Sequence, residues 1–526
     1  MPKLSSFAVL WGLLLGSGLV VSSVAAQEAP VNPRSRRDAE AQVSQWLEQH
    51  RASPPAIRAF VQRMPKGGDI HTHLSGAVYA ERYLEWAAAD GYCIDPQALT
   101  LIPPSACGQN SRYFPASQLP NRPDTYDALI NLWSTRNLPF ANRSGHDQFF
   151  QAFGGFSEIS SAPSRQDDMV AEVANRAADQ HIFYLELLMT VQGAEVRQLG
   201  RAVGWSGDFA QMRRALLDRG LMDLVARGSQ EVANLERQVA STLRCDTPMA
   251  QPGCEVTVRY LQQTTRTKAP EEVFAQFVYA FELAKANSRV VGINLVAPED
   301  NPVALRDYQQ QMQMLQFLKT QFPEVKISLH AGELTLGLVP PNDLRFHIRQ
   351  AVEVAQASRI GHGVSILYEN NPFQLMAEMR KRGVLVEICL TSNEVILNVA
   401  GNQHPFREYL AAGVPMTLAS DDEGIARIDL SNEYGLAILR YQLSYADLKR
   451  LARNSLEYSF LSGVSLWNSS NFDAVTAACA QDSPNAASIS AGCRGFLAQS
   501  DRARVQWKLE SEFAQFEALP SFRTGP

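Results

Sequence analysis

His71-Thr72-His73 places two imidazoles two residues apart within an apolar run. On a β-strand, residues two apart face the same side, so both rings point together. A single strand histidine is commonly a core residue, whereas two on one face, followed by Leu74-Ser75-Gly76, suit a metal. Three further stretches carry similar chemistry: His330-Ala331-Gly332-Glu333, Arg359-Ile360-Gly361-His362-Gly363, and Leu418-Ala419-Ser420-Asp421-Asp422-Glu423-Gly424. Singly each has an ordinary explanation, a loop for the first and a helix cap or solvated turn for the Asp pair. Jointly, His71, His73, His330 and Asp421 form a ligand set for one zinc ion with a position left for water. Zinc brings the pKa of bound water to about 7, so hydroxide is available at neutral pH. A carboxylic acid such as Glu333 can serve as a general acid beside such a metal if burial and neighbouring carboxylates raise its pKa. The expected chemistry is metal-assisted hydrolysis. The His/Cys/Cys zinc signature of nucleobase deaminases and the His-Glu-x-x-His protease motif are both absent from the sequence.

These residues need a scaffold that brings distant segments to one place. Eight apolar, β-branched runs fall at 68–74, 182–188, 256–261, 290–296, 326–330, 359–362, 384–390 and 414–418, separated by helical patterns such as 304–322, 343–357 and 372–382. Alternating strands and helices with near-continuous apolar strands indicate a parallel sheet. Eight units close an α/β, (β/α)₈ barrel of the triosephosphate-isomerase type. An open doubly wound sheet is the rival, weakened because no glycine-rich phosphate loop follows the first strand. The candidate residues sit at the C-terminal ends of their strands, where such a barrel carries its active site. About a hundred residues separate the first two strands and roughly sixty-five the next two, long enough for functional insertions over that face. Glu186, near the end of the second strand, suits either a group supporting the site or a structural ion pair.

The barrel is expected at 64–465. Residues 27–63 form a polar lead-in to about 37 and two amphipathic helices, one carrying Ala39, Val43, Trp46 and Leu47, the other Ile57, Phe60, Val61 and Met64. Residues 466–526 form a helical C-terminal extension. Lys3, the apolar run 7–21 and Val24-Ala25-Ala26 before Gln27 read as a signal peptide over 1–26, implying a secreted or periplasmic protein with no membrane anchor after processing. An oxidising compartment gives meaning to seven cysteines. Cys93 with Cys107, Cys245 with Cys254, and Cys479 with Cys493 are close in sequence and would each close a short loop, although spacing alone leaves connectivity open. Cys389, inside the seventh apolar run, reads as a buried free thiol. The composition, 45% apolar and 19% charged, is that of a globular chain. A net charge of −6 without a long basic run argues against a nucleic-acid partner.

Met64-Pro65-Lys66-Gly67-Gly68-Asp69-Ile70-His71-Thr72-His73-Leu74 resembles the first motif of adenosine deaminases. Ser328 to Glu333 resembles their proton-donor motif, and Arg359 to Gly363 and Ser420-Asp421-Asp422 resemble the last two, all in family order. The enlarged, cysteine-bearing form is similar both to the adenosine deaminase growth-factor branch and to exported bacterial members. The resemblance implies a small-molecule purine nucleoside as substrate. It implies His71, His73, His330 and Asp421 as zinc ligands, Glu333 as donor to purine N1, His362 orienting or deprotonating the attacking water, and Asp422 bonding the other purine edge. Two positions depart from the family. Ser75 stands where an Asp that touches the ribose 5′ end is usual, and Ala297, followed by Pro298, stands where a glycine gives its N–H to the purine.

Overall fold

The computed structural model describes residues 33–486 and 488–522; the 1–26 signal-peptide reading and the start of the lead-in lie outside them. Eight parallel strands form one sheet in chain order: β1 (Gly67–His73), β2 (Ile182–Met189), β3 (Thr257–Thr265), β4 (Val290–Val296), β5 (Lys326–Ala331), β6 (Arg359–His362), β7 (Leu385–Ile388) and β8 (Met416–Leu418). Every apolar run read as a strand is one. β8 returns to β1 through a parallel bridge between Asp421 and Thr72. His73 N–H donates to the Asp421 carbonyl at 2.8 Å and Asp421 N–H to the His71 carbonyl at 3.0 Å. The sheet is therefore a (β/α)₈ barrel whose seam is closed by the backbone of three candidate metal ligands. All residues of β2 are buried, as expected for a strand covered on both faces.

Both N-terminal helices are present, at Pro33–His50 and Pro54–Arg63. The first already begins inside the stretch read as a lead-in. In the second, Ser53 caps the N-terminus, prolines occupy the first turn, and Ile57, Phe60 and Val61 are buried. The helix expected at 343–357 is shorter, His347–Glu353, because the Glu369 carboxylate accepts from Ile348 N–H at 2.7 Å and starts it there.

The insertion after β1 holds an element absent from the sequence reading. A small antiparallel sheet has Cys93–Asp95 between Thr100–Ile102 and Phe114–Pro115. Its strands are too short to show a period. Helices Pro123–Leu132, Gly145–Ser160 and Gln166–Asp179 follow; the second packs against the helix Leu390–Leu397 beyond β7, and the third against β2. Thr135 N–H bonds the Ile425 carbonyl at 2.8 Å. Gly145 packs so closely that a Cβ there would lie 2.0 Å from the Val395 oxygen. The insertion after β2 is helical, ending in Leu221–Thr242.

The three cysteine pairs are joined as read, and Cys389 is free and buried, though one residue beyond β7 rather than within it. Among the described residues, the C-terminal extension has α-helices at Ala491–Ala498 and Asp501–Glu517 and a short 3₁₀ turn at Pro520–Phe522. The Asp501–Glu517 helix is tied to the core by Lys449, which bonds Glu517 at 2.6 Å and Glu40 at 2.8 Å. Among the described residues, no helix is long and apolar enough to cross a membrane.

Candidate metal centre and active site

The ends of β1 and β5 and the turn after β8 bring His71, His73, His330 and Asp421 together as a group able to hold a metal ion. Nε2 of His330 lies 3.1 Å from Nε2 of both His71 and His73. Oδ1 of Asp421 lies 3.3 Å from Nε2 of each of the same two rings. The chemistry of this donor set tests the fit. Nδ1 of His71 is 2.6 Å from Glu387 Oε2. An ionised carboxylate only accepts, so the ring proton sits on Nδ1 and Nε2 keeps a bare lone pair. Asn294 Oδ1, 2.7 Å from Nδ1 of His330, orients that ring in the same way. Lone pairs and a carboxylate oxygen facing one another repel unless a cation lies between them. Ligand atoms around a tetrahedral ion with bonds of about 2.0–2.1 Å stand roughly 3.3 Å apart, which matches these separations. The residues fit zinc.

The sequence reading missed what holds these ligands. Glu387, on β7, is fully buried. Its carboxylate also accepts from Ser328 Oγ at 2.9 Å and pairs with Arg359 Nε at 2.6 Å. Burial alone would raise its pKa, but Arg359 and the His71 and Ser328 hydrogen bonds outweigh burial and hold the group below the usual carboxylate value. Arg359 reaches onward to Glu186 Oε2 at 2.5 Å. Glu186 is thus a structural ion-pair residue, linked to the ligand candidate His71 through Arg359 and Glu387. A signal for Glu387 existed, since it is the one charge in the apolar run 384–390.

Glu333 and His362 stand beside the ligands. Glu333 is pushed well above the usual carboxylate value by burial first, then by the charges of Asp421 and Glu299. Its backbone N–H donates to Glu299 Oε2 at 2.8 Å, and Glu299 Oε1 is 2.6 Å from Nδ1 of the buried His347. His362 Nδ1 accepts from Asn393 Nδ2 at 3.0 Å, and Asn393 Oδ1 is 3.0 Å from His404 Nε2. Burial pushes His362 down to about 4. In this arrangement the neutral ring carries its proton on Nε2 and presents a donor. Glu333 Oε1, His362 Nε2 and Asp422 Oδ1 are buried without a hydrogen-bond partner, the pattern expected where a ligand belongs. Gly76 makes room for Asp422, because a Cβ there would lie 1.5 Å from Asp422 Oδ1.

Ala297 follows β4 at φ +86° and is half-buried. Asp421 and His362 also adopt positive φ, +61° and +66°. Such left-handed conformations cost non-glycine residues about 1–3 kcal/mol each and cluster at functional sites. Ser75 lies outside the ligand cluster, on the wall of a cleft of about 1250 Å³ between the two insertions. Gln263 also borders that cleft, and its amide is 3.3 Å from Nδ1 of His73.

Residues 116–465 match the family model for adenosine deaminase. The chain belongs to the adenosine deaminase family. It is 24% identical over 440 residues to an aminodeoxyfutalosine deaminase of Streptomyces coelicolor, covering 83% of this chain and 90% of that one. It is 33% identical over 147 residues to an adenosine deaminase of Shewanella loihica, 28% of this chain and 41% of that one. The same fold occurs in the N6-methyl-AMP deaminase of Arabidopsis thaliana, with TM-score 0.50, 21% identity, and coverage of 77% of this chain and 94% of that one. A second Arabidopsis structure of this fold, crystallised with GMP, has TM-score 0.51 at 21% identity, over 77% and 94% of the chains. The family match begins after β1, yet β1 delivers two members of the metal cluster to the family's strands.

Proposed function

We propose that this family member is an exported, zinc-dependent aminohydrolase that converts adenosine or 2′-deoxyadenosine and water to inosine or its deoxy form and ammonia. The observation that carries the reading is the convergence of four metal-ligand-type donor atoms with three unpartnered buried groups. His71, His73, His330 and Asp421 would hold one zinc ion. When bound, zinc supplies a Lewis acid that brings a water's pKa to about 7. Glu333, kept protonated by burial, donates its proton to purine N1, which makes C6 electrophilic. His362 Nε2–H orients the attacking oxygen, since its Nδ1 is occupied by Asn393. Asp422 Oδ1 and the Ala297 N–H bond the far edge of the purine. Water adds at C6, the C6–N bond breaks, and the amino group leaves as ammonia. The three cystines support an oxidising compartment and hence export.

A modified nucleoside is the second reading, favoured by the size of the cleft and by relatives named for other substrates. The test is ammonia release from adenosine, 2′-deoxyadenosine, adenine and modified nucleosides, with metal analysis of the same protein. Turnover of an adenine nucleoside with about one zinc per chain supports the proposal, and absence of turnover across the panel overturns it.

A further inference from the structure

The reacting centre is closed on nearly every side. His71, His330, Glu333, His362, Asp421 and Asp422 are all buried, and only His73 keeps an exposed edge. That edge meets Gln263, which with Leu74 and Ser75 borders the cleft. In a purine nucleoside the amino carbon lies at the opposite end of the bicycle from the sugar-bearing nitrogen. With the amino end at the metal cluster and Glu333, the sugar and its substituents point toward the one open side, into the cleft.

The cleft is larger than a nucleoside requires. Pockets that enclose a drug-sized ligand run about 300–1,000 Å³, and this one holds about 1250 Å³ beyond the buried centre. Its lining also has a definite chemistry. Arg197, in the first helix after β2, and Arg227 and Arg237, on the Leu221–Thr242 helix, face it. Arg197 is half-buried and has no ion-pair or hydrogen-bond partner among the described residues, and Arg227 has no ion pair there either. Of the two carboxylates on the lining, Glu231 is engaged by Gln192 at 2.7 Å and Glu195 is exposed. Most other arginines of this chain are committed to carboxylates, for example Arg165, Arg176 and Arg359. A guanidinium left half-buried and unpaired in a cleft is suited to an incoming oxyanion. Ser75 adds no negative charge on the path between the centre and these arginines.

We propose that the cleft binds an anionic group, phosphate or carboxylate, carried on the sugar end of the substrate, with Arg197 and Arg227 as its partners. This rests on the aminohydrolase reading above and narrows its substrate class to adenine nucleosides with an acidic 5′ substituent. The experiment compares kcat/KM for adenosine, adenosine 5′-monophosphate, adenosine 5′-carboxylate and the neutral 5′-methylthioadenosine, in the wild-type chain and in Arg197→Gln and Arg227→Gln. The acidic substrates should exceed both neutral ones at least tenfold at low ionic strength, with the advantage shrinking as salt rises. In Arg197→Gln the ratio of acidic to neutral kcat/KM should fall at least tenfold. A gain confined to the phosphate assigns the cleft to a phosphomonoester, and one confined to the carboxylate assigns it to an organic acid. Equal or better use of the neutral substrates by wild-type protein, or a parallel loss on all four in Arg197→Gln, overturns the proposal. Should no adenine compound be deaminated, the reaction itself has been misread. Calorimetric binding of adenosine 5′-monophosphate against adenosine in the wild-type and Arg197→Gln proteins then decides the cleft separately: selective binding that Arg197→Gln abolishes supports it, and equal binding overturns it.

Discussion

Replacing Glu387 by Gln should weaken metal binding while leaving the metal-free fold nearly as stable. The carboxylate touches His71 Nδ1 at 2.6 Å and Arg359 Nε at 2.6 Å, and Arg359 also pairs with Glu186 at 2.5 Å. The buried group therefore holds two negative charges against one guanidinium, an imbalance that a bound divalent cation relieves. Glutamine keeps the shape and can still accept from His71, but the charge is gone and Arg359 and Glu186 remain as a balanced pair. Losing a carboxylate behind a metal-bound histidine typically costs 10–100-fold in metal affinity, which is about 1.4–2.7 kcal/mol. Metal binding adds stability as RT ln(1 + [L]/Kd). With free zinc at 1,000 times the wild-type Kd that term is about 4.1 kcal/mol, and for a site weakened 100-fold it falls to about 1.4 kcal/mol. At an unfolding entropy near 2.1 cal/mol/K per residue, 1 kcal/mol moves the Tm of a chain this long by about 1 °C. The gain in Tm on adding zinc should drop from about 4 °C to about 1 °C, with the metal-free Tm little changed. The assays are competitive chelator titration and thermal melts with and without zinc. Zinc affinity within threefold of wild type in a folded Glu387→Gln protein would refute the argument. A large loss of metal-free stability would show that Glu387 serves packing and not the metal.

Other outcomes follow from the same geometry. Glu333→Gln should lower turnover at least about a hundredfold, as for other lost general acids, with zinc content unchanged; near-normal turnover would remove Glu333 from the mechanism. Because burial and the charges of Asp421 and Glu299 raise the Glu333 carboxyl, activity should be full at pH values below its folded-state pKa and fall as pH rises through it. Glu299→Gln removes one of those charges and should move this alkaline limb to lower pH, and an unmoved limb would count against Glu333 as its source. Gly76→Ala drives a methyl into Asp422 Oδ1 and should raise KM or lower kcat for purine substrates in a protein that still binds zinc, whereas wild-type kinetics would show that Asp422 does not contact substrate. Non-reducing peptide mapping should find the three cystines and a Cys389 that alkylates only after unfolding, since burial pushes its thiol well above the ordinary value.

The barrel was legible because its strands are buried on both faces and therefore read as eight apolar runs. The metal cluster was legible because ligand-type residues stood at the ends of those runs. What escaped the reading has a common cause. Glu387, Asn393, His404, Glu299 and His347 act through other residues, and their partners lie between 11 and 316 residues away. No local spacing encodes such pairings; the barrel creates them by setting strand ends side by side. The small sheet around Cys93–Asp95 escaped for a different reason, since strands of two or three residues leave no periodicity to read. Ser75 was legible as a departure from the family. The cleft beside it was not, because its walls come from two insertions separated by β2.

The way the barrel closes links its stability to its chemistry. β8 has three residues and meets β1 through one bridge, so the seam is the weakest join in the sheet. Both backbone hydrogen bonds at that bridge use ligand residues: His73 and Asp421 donate, and Asp421 and His71 accept. A cation held by His71, His73 and Asp421 therefore spans the same seam from the side-chain face and connects it across the barrel to β5 through His330. Without the metal, the side chains of His71, His73, His330 and Asp421 meet one another only through direct contacts at the place where the sheet has least backbone pairing. Metal binding and seam closure should then be one event, with protection of the His73 and Asp421 amides against hydrogen exchange rising on zinc addition more than that of amides in β2 or β3. Equal protection throughout the barrel, with and without zinc, would show that the seam is held by packing alone.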